Sequence, residues 1–367
     1  VGIRTDSLVL KIMRHSRLFP SIGLLLITLL VPVWLHAELV WTPGTGWQVE
    51  GGAVAAIAGA DGRNALDLMN RARTAEENGH NRRALKLYKR VVHTYGKSIY
   101  GPAACNRTAK IRLAQHQLPK AFDAYQQIVN QYPNYEKFDE VISEQYRIAS
   151  AIADGARGRW LWGLLPGFPK RQSAVIYFEF IVSNAPYSDY APLALMRIAQ
   201  LHKRFSSKIA AVDALDRMIN FYPNSILTPD AYLRMADVHA SLVDGPEYDQ
   251  FSAKESATYY QDFLILFPKD PGVGKAETGL DKMKTERALS KMKMAEFYHY
   301  KRHNYVAAKI FYNEAITIYP NSPIALKARE RLDKIAPKIA AQEAAEAARA
   351  SKVEPPKPKK KKVLWLF

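Results

Sequence analysis

Among residues whose type and spacing could support chemistry, His299 and His303 come first. Four residues apart, they set two imidazoles on one helix face, as a divalent-metal site would. No third ligand of suitable placement follows, and Tyr298, Tyr300 and Arg302 beside them read as a packed or solvated face, so no metal is expected. Gly44-Thr-Gly46 lacks the Gly-Lys-Ser/Thr that completes a phosphate loop. Cys105 is the single cysteine, which excludes an intrachain disulfide, and its place in the helical pattern reads as a buried, inert thiol. His-Glu-x-x-His, Gly-x-Ser-x-Gly and Cys-x-x-Cys are absent from the sequence. The expectation is a protein without enzymatic activity and without a cofactor.

Two further stretches suit contact with a surface. In Gly155-Ala-Arg-Gly-Arg-Trp-Leu-Trp-Gly-Leu-Leu-Pro-Gly-Phe168, the residues Arg159, Trp160, Trp162 and Phe168 combine amphipathic rings with a guanidinium, which fits a protein partner or a membrane interface. At the end of the chain, a lysine- and proline-rich run to Lys362 precedes Val363-Leu-Trp-Leu-Phe367. Such a tail is too charged to fold alone. Its cations and the rings of Trp365 and Phe367 are expected to make peripheral contact with an anionic membrane. Nucleic acid is the other standard partner of a chain with net charge +17, but an exported protein rarely meets it.

The elements that position these residues follow from one recurring pattern. Ala308, Tyr312, Ala315 and Tyr319 stand twelve, eight, five and one residues before Pro320. The same frame finds Ala211, Leu215, Met218 and Tyr222 before Pro223, Ala121, Tyr125, Ile128 and Tyr132 before Pro133, and Ala174, Phe178, Ile181 and Ala185 before Pro186. Weaker copies read Ser256, Tyr260, Phe263 and Phe267 before Pro268, and Ala84, Tyr88, Val91 and Tyr95 before Gly96. Positions i, i+4 and i+7 share a helix face, so each copy is a helix with a small residue at its crossing and a bulky one a turn later. That is the second half of a tetratricopeptide unit, whose first helix should carry a small residue twelve positions earlier, as Ala72, Ala109 and Ala199 do. The fold class predicted is all-α, a solenoid of five to six helical hairpins.

First-helix residues facing away from the second helices would wall a groove suited to extended peptides. For the first two units these are Asn70, Arg73, Asn106 and Lys110, whose amides and cations would hold a main chain or a terminal carboxylate.

The runs Ala75 to Arg90 and Ile111 to Tyr125, followed by Tyr132-Pro-Asn134, resemble the BamD family of outer-membrane protein assembly factors, as does the third unit with its inserted loop and Ala185-Pro-Tyr-Ser188. The resemblance covers about residues 61–225. It implies an adaptor of the barrel-assembly machinery, binding barrel precursors in its early units and an assembly-platform protein through its later ones. The family's lipidated cysteine has no counterpart here, so lipid anchoring does not carry over. The alternative function is an exported scaffold for peptidoglycan or cell-division machinery.

Residues 1–37 read as a cleavable export signal, with Met13 a plausible start, Lys11, Arg14 and Arg17 ahead of an apolar run from Ile22 to Val31, and a cut after Ala37. Export to the periplasm and association with the outer membrane are expected. Residues 38–60 form a Gly/Trp-rich leader of turns, in which Trp41 and Trp47 either dock on a partner or fold back on the first hairpin. The solenoid takes 61–336, with a long helix from about Lys275 to Tyr300. A capping helix runs from Ser322 to Leu332, and a second helical stretch after Pro337 leads into the tail, within 337–367.

Overall fold

The computed structural model describes residues 38–43, 45–50, 60–156, 159–160, 165–166, 171–247 and 250–350. Residues 1–37, on which the reading of an export signal falls, and Trp162, Phe168, Trp365 and Phe367 lie outside them. The chain divides into two compact units, 1–111 and 112–367.

In the first unit, strands β1 (Glu38–Thr42) and β2 (Gly46–Glu50) pair antiparallel, with Trp41 opposite Trp47. Helices α1 (Ala60–Glu77) and α2 (Asn81–Tyr95) form a hairpin, and α3 (Tyr100–Ala114) follows. The core here joins Met69, Ala72, Ala84, Tyr88, Val91 and Ala104, and Leu39 and Trp47 pack against it. The leader is therefore a β-hairpin folded back onto the first helices, which corrects the expectation of turns alone. Leu39 and Trp41, two apart on β1, share a face with Trp47, which stands opposite Trp41, and this gives the hairpin an apolar face that can be buried. Gly46, with φ +80°, is required twice over, because a Cβ there would stand 2.8 Å from Asn70 Oδ1.

The second unit begins within α3 and continues through α4 (Leu118–Gln131), α5 (Phe138–Asp154), α6 (Ala174–Asn184), α7 (Tyr190–Arg204), α8 (Lys208–Phe221), α9 (Thr228–Ala240), α10 (Gln250–Leu266), α11 (Val273–Glu296), α12 (Tyr305–Ile318) and α13 (Pro323–Ala350). From α4 to α13 successive helices pack in sequence, as stacked hairpins require. Between α5 and α6, β3 (Arg159–Trp160) pairs with β4 (Leu165–Pro166), a small hairpin that accounts for the wide spacing between Pro133 and Pro186.

The frame residues are the core. Ala84, Tyr88, Val91, Ala121, Ile128, Ala174, Phe178, Ile181, Ala211, Leu215, Met218, Phe263, Ala308, Tyr312 and Ala315 are fully buried, and Tyr125 and Tyr260 nearly so. Each buried aromatic ring contributes on the order of 1.5–3 kcal/mol, while the alanines let backbones cross closely. Ala72, Ala109 and Ala199 are buried at the partner positions.

The turn inside each hairpin is as regular as the frame. Gly79, His116, Ser206 and His303 all have φ between 51° and 73°, and each stands seventeen residues before its closing position, Gly96, Pro133, Pro223 or Pro320. Gly155 ends α5 in the same way, whereas between α9 and α10 the left-handed residue, Gly245, stands five residues past the end of the helix. A left-handed residue ends the first helix and turns the chain back. The next N–H then reaches the carbonyl five residues earlier: His80 to Ala75 (2.8 Å), Gln117 to Arg112 (2.9 Å), Ala156 to Ala151 (2.8 Å) and Ser207 to His202 (2.9 Å). In the last hairpin Asn304 reaches back six, to Tyr298 (3.0 Å), because Phe297–Lys301 forms a π turn that inserts one residue.

One boundary departs from expectation. Helix α13 runs unbroken through Pro337. Proline in a helix interior removes one ladder bond and costs about 3 kcal/mol. Ile335 and Ile339, buried on either side, hold the segment against Met292 and Ala295, and that packing outweighs the local preference to break.

Candidate protein-docking site

The expected groove residues of the first unit are already engaged. Asn70 Oδ1 accepts the backbone N–H of Trp47 at 2.7 Å. The guanidinium of Arg73 lies 4.1 Å from the centre of the Trp41 ring and binds Glu77 Oε1 at 3.0 Å and Glu76 Oε1 at 3.4 Å. These two positions are not an open wall, as the sequence reading had them, because the leader hairpin lies on them. Asn106 is half-buried and Lys110 exposed on α3.

The centre of this polar face is Glu76. It accepts the Tyr88 hydroxyl at 2.9 Å and pairs with Arg107. Burial raises its pKa from the ordinary value against the lowering effect of Tyr88, Arg73 and Lys110. Tyr88 is held protonated by its own burial and by the Glu76 carboxylate. Arginine, carboxylate and phenol are mutually satisfied here, which makes the set a structural fastening of α1, α2 and α3.

A different region of the second unit is open. Two successive closing turns, between α6 and α7 and between α8 and α9, border a cleft of about 980 Å³ lined by Val182, Pro186, Leu193, Phe221, Pro223 and Ile226 among others. The turns are built alike. Ser188 Oγ donates to Ala185 O at 2.8 Å, Thr228 Oγ1 donates to Tyr222 O at 2.8 Å, and the Tyr222 hydroxyl ties the turns together through Pro186 O at 2.7 Å. Arg217 is fixed by a bidentate pair with Glu179, at 2.9 and 3.0 Å.

On this rigid frame Tyr187, Phe221 and Ile226 are 101 %, 71 % and 94 % exposed, large apolar groups where turns ordinarily carry polar ones. The lining offers no nucleophile beside a base. Its chemistry is the burial of apolar side chains from another molecule. Sequence reading passed over these residues, although Tyr187 in Ala185-Pro-Tyr-Ser and Ile226 in Tyr222-Pro-Asn-Ser-Ile were a visible signal.

The remaining candidates are placed as follows. Arg159 and Trp160 form β3, whereas Trp162, Phe168, Trp365 and Phe367 lie outside the described residues. Cys105 is 2 % exposed and burial pushes its thiol up to about 12, so it is unreactive at neutral pH. His299 Nδ1 lies 3.1 Å from the Tyr312 hydroxyl and its ring stacks on Tyr300, while His303 shapes the turn. Among the described residues no group of three His, Cys, Asp or Glu is placed to hold a metal, and no helix is long and apolar enough to cross a membrane.

Residues 107–135 match the tetratricopeptide repeat family. Similar solved structures include a tetratricopeptide repeat protein from Parabacteroides merdae, 12 % identical, covering 73 % of this chain and 98 % of that one with a TM-score of 0.29. They also include the Thermus thermophilus tetratricopeptide protein TTC0263, 14 % identical over 60 % and 99 % of the two chains, TM-score 0.25. A third is PilW, described as a type IV pilus biogenesis factor, 12 % identical over 72 % and 98 %, TM-score 0.26. Likeness at this level bears on no functional reading. No curated protein matches the chain. With the buried frame and the repeated turns, the match at 107–135 makes this an α-helical protein of stacked hairpins of the tetratricopeptide type.

Proposed function

We propose that the chain is a non-enzymatic adaptor that binds other proteins, exported to the periplasm and associated with the outer membrane. There it serves β-barrel assembly by engaging barrel precursors and the assembly-platform protein. The observation that carries the docking reading is the cleft at the α6–α7 and α8–α9 turns, where Tyr187, Phe221 and Ile226 stand exposed on a hydrogen-bonded frame. Association buries such groups at about 25 cal/mol per Å² of apolar area, and solvation of the free protein gains nothing from exposing them. The choice of barrel assembly rests on the sequence resemblance over residues 61–225, which includes most of the cleft. The lysine-rich tail with Trp365 and Phe367 supplies peripheral membrane contact.

The test places a photo-crosslinking residue at Tyr187 and at Ile226 in cells and identifies the captured protein. Capture of the barrel insertase or of unfolded barrel proteins supports the proposal. Capture of septal or peptidoglycan enzymes redirects the adaptor to that machinery, and no capture at either position removes the cleft from the argument. Removal of Lys357 to Phe367 is expected to release the protein from membranes in a salt wash.

A further inference from the structure

The last hairpin carries a second surface, distinct from the cleft in position and in chemistry. The π turn at Phe297–Lys301 leaves Phe297 and Tyr300 about half exposed at the end of α11. Cations lie over the rings: the Arg302 guanidinium 5.6 Å from the Phe297 centre, Arg331 5.8 Å from Tyr300, and the Lys338 ammonium 5.2 Å from Tyr305. Arg331 is held by Glu296. Lys301, Arg302, His303 and Lys338 are exposed, and among the described residues none of them pairs with a carboxylate.

The charged groups around His299 are mostly cations. The pKa of His299 is lowered by burial first and then by Lys338, Arg331 and His303, with only Glu296 pulling the other way. One inserted residue thus breaks the regular turn, and there Arg302 and, from α13, Lys338 lie over aromatic faces without a carboxylate partner among the described residues, while Arg331 is paired with Glu296. π insertions in helices recur at functional positions.

We propose that this surface, formed by the π turn and the facing side of α13, binds a carboxylate-rich segment of a partner protein. A guanidinium or ammonium laid on a ring keeps its outward N–H groups free and pre-oriented for carboxylates. The same arrangement disfavours single-stranded nucleic acid, whose bases need bare ring faces to stack on, and these faces are covered. The chain's own tail is excluded by charge, since Lys357 and Lys359 to Lys362 would be repelled. A second copy, at net charge +17, meets the same repulsion.

The test is fluorescence anisotropy of a labelled Glu/Gly peptide against the full chain, beside labelled oligothymidylate and vesicles containing phosphatidylglycerol. Arg302→Ala with Lys338→Ala is expected to weaken peptide binding about tenfold, the loss of two charge-assisted contacts partly screened by salt. Lys254→Ala with Lys282→Ala, two exposed cations elsewhere, is expected to change it less than about twofold. Both pairs are on the surface, so circular dichroism and Tm should match the parent. Equal weakening by both pairs reduces the effect to diffuse charge and overturns the proposal. So does dependence on Arg302 and Lys338 that is seen only with the oligonucleotide or the vesicles, or an absence of peptide binding.

Discussion

The first and last hairpins solve the same packing problem with partners of different charge, a carboxylate in one and a neutral imidazole in the other. In both, a frame tyrosine is fully buried on the second helix and directs its hydroxyl to a side chain near the end of the first. Tyr88 meets Glu76 and Tyr312 meets His299. Glu76 stands three residues before its left-handed turn residue, Gly79, and His299 four before His303, the difference being the π insertion. In the first unit the surrounding cations, Arg73 and Arg107, are neutralised by Glu76 and Glu77 and roofed by Trp41. In the last, several cations remain without carboxylates. What the fold needs at this frame position is the buried bulky side chain, since Phe178 and Leu215 fill it without a hydroxyl; the two tyrosine sites differ in the charged groups around them.

Breaking the shared element should have the largest effect. Tyr88→Ala and Tyr312→Ala each empty a buried site and are expected to lower stability by about 3–5 kcal/mol, measured by urea denaturation. Equal losses would show that the two hairpins rely on the ring to the same degree. Removing only the hydroxyl separates them. Tyr88→Phe withdraws a hydrogen bond from a partly buried carboxylate and should cost about 1.5–3 kcal/mol, whereas Tyr312→Phe withdraws one shared between His299 and Arg331, and because Arg331 keeps Glu296 as its partner the change should cost about 0.5–1.5 kcal/mol. If the order reverses, the charge contrast between the sites is not the governing difference.

The turns give a smaller, opposite effect. His116→Gly and Ser206→Gly relieve a left-handed backbone at a side-chain-bearing residue and should raise stability by about 0.5–1 kcal/mol in thermal unfolding. His303→Gly should do the same only if the π turn leaves the local strain unchanged. Finally, the pKa of His299 is depressed from its ordinary 6.5, so the unfolded imidazole takes up its proton at a higher pH than the folded one. Stability contributed by this site is therefore present above about pH 6.5 and is lost as pH falls through the lower folded value. Tm should drop over that window in the parent and drop less in His299→Phe, whereas the raised pKa of Glu76 acts in the opposite sense, its contribution being lost as pH rises above the ordinary carboxylate value.

The fold was legible where its causes are local. Alanine and aromatic residues spaced for one helix face marked Ala121, Tyr125 and Ile128 as core, because helical periodicity needs only neighbours along the chain. The docking sites were less legible. Asn70 and Arg73 had the right register for a groove wall, but whether a wall is open depends on what folds over it. The hydrogen bond from Trp47 to Asn70 spans 23 residues. Tyr187 and Ile226 were readable as turn residues but not as two sides of one cleft, since they belong to different hairpins. Arg302 and Lys338 likewise come from different elements.

The sequence by itself determined the kind of repeating element, the buried face of each, and the inertness expected of Cys105, since periodicity, side-chain volume and the lack of catalytic motifs are properties of short stretches. Only tertiary structure decided that the leader closes the first groove, that Pro337 stays within a helix, and that one inserted residue gathers cations at the last turn. Those outcomes are set by packing and charge between segments distant in the chain, where burial outweighs the local preference of each.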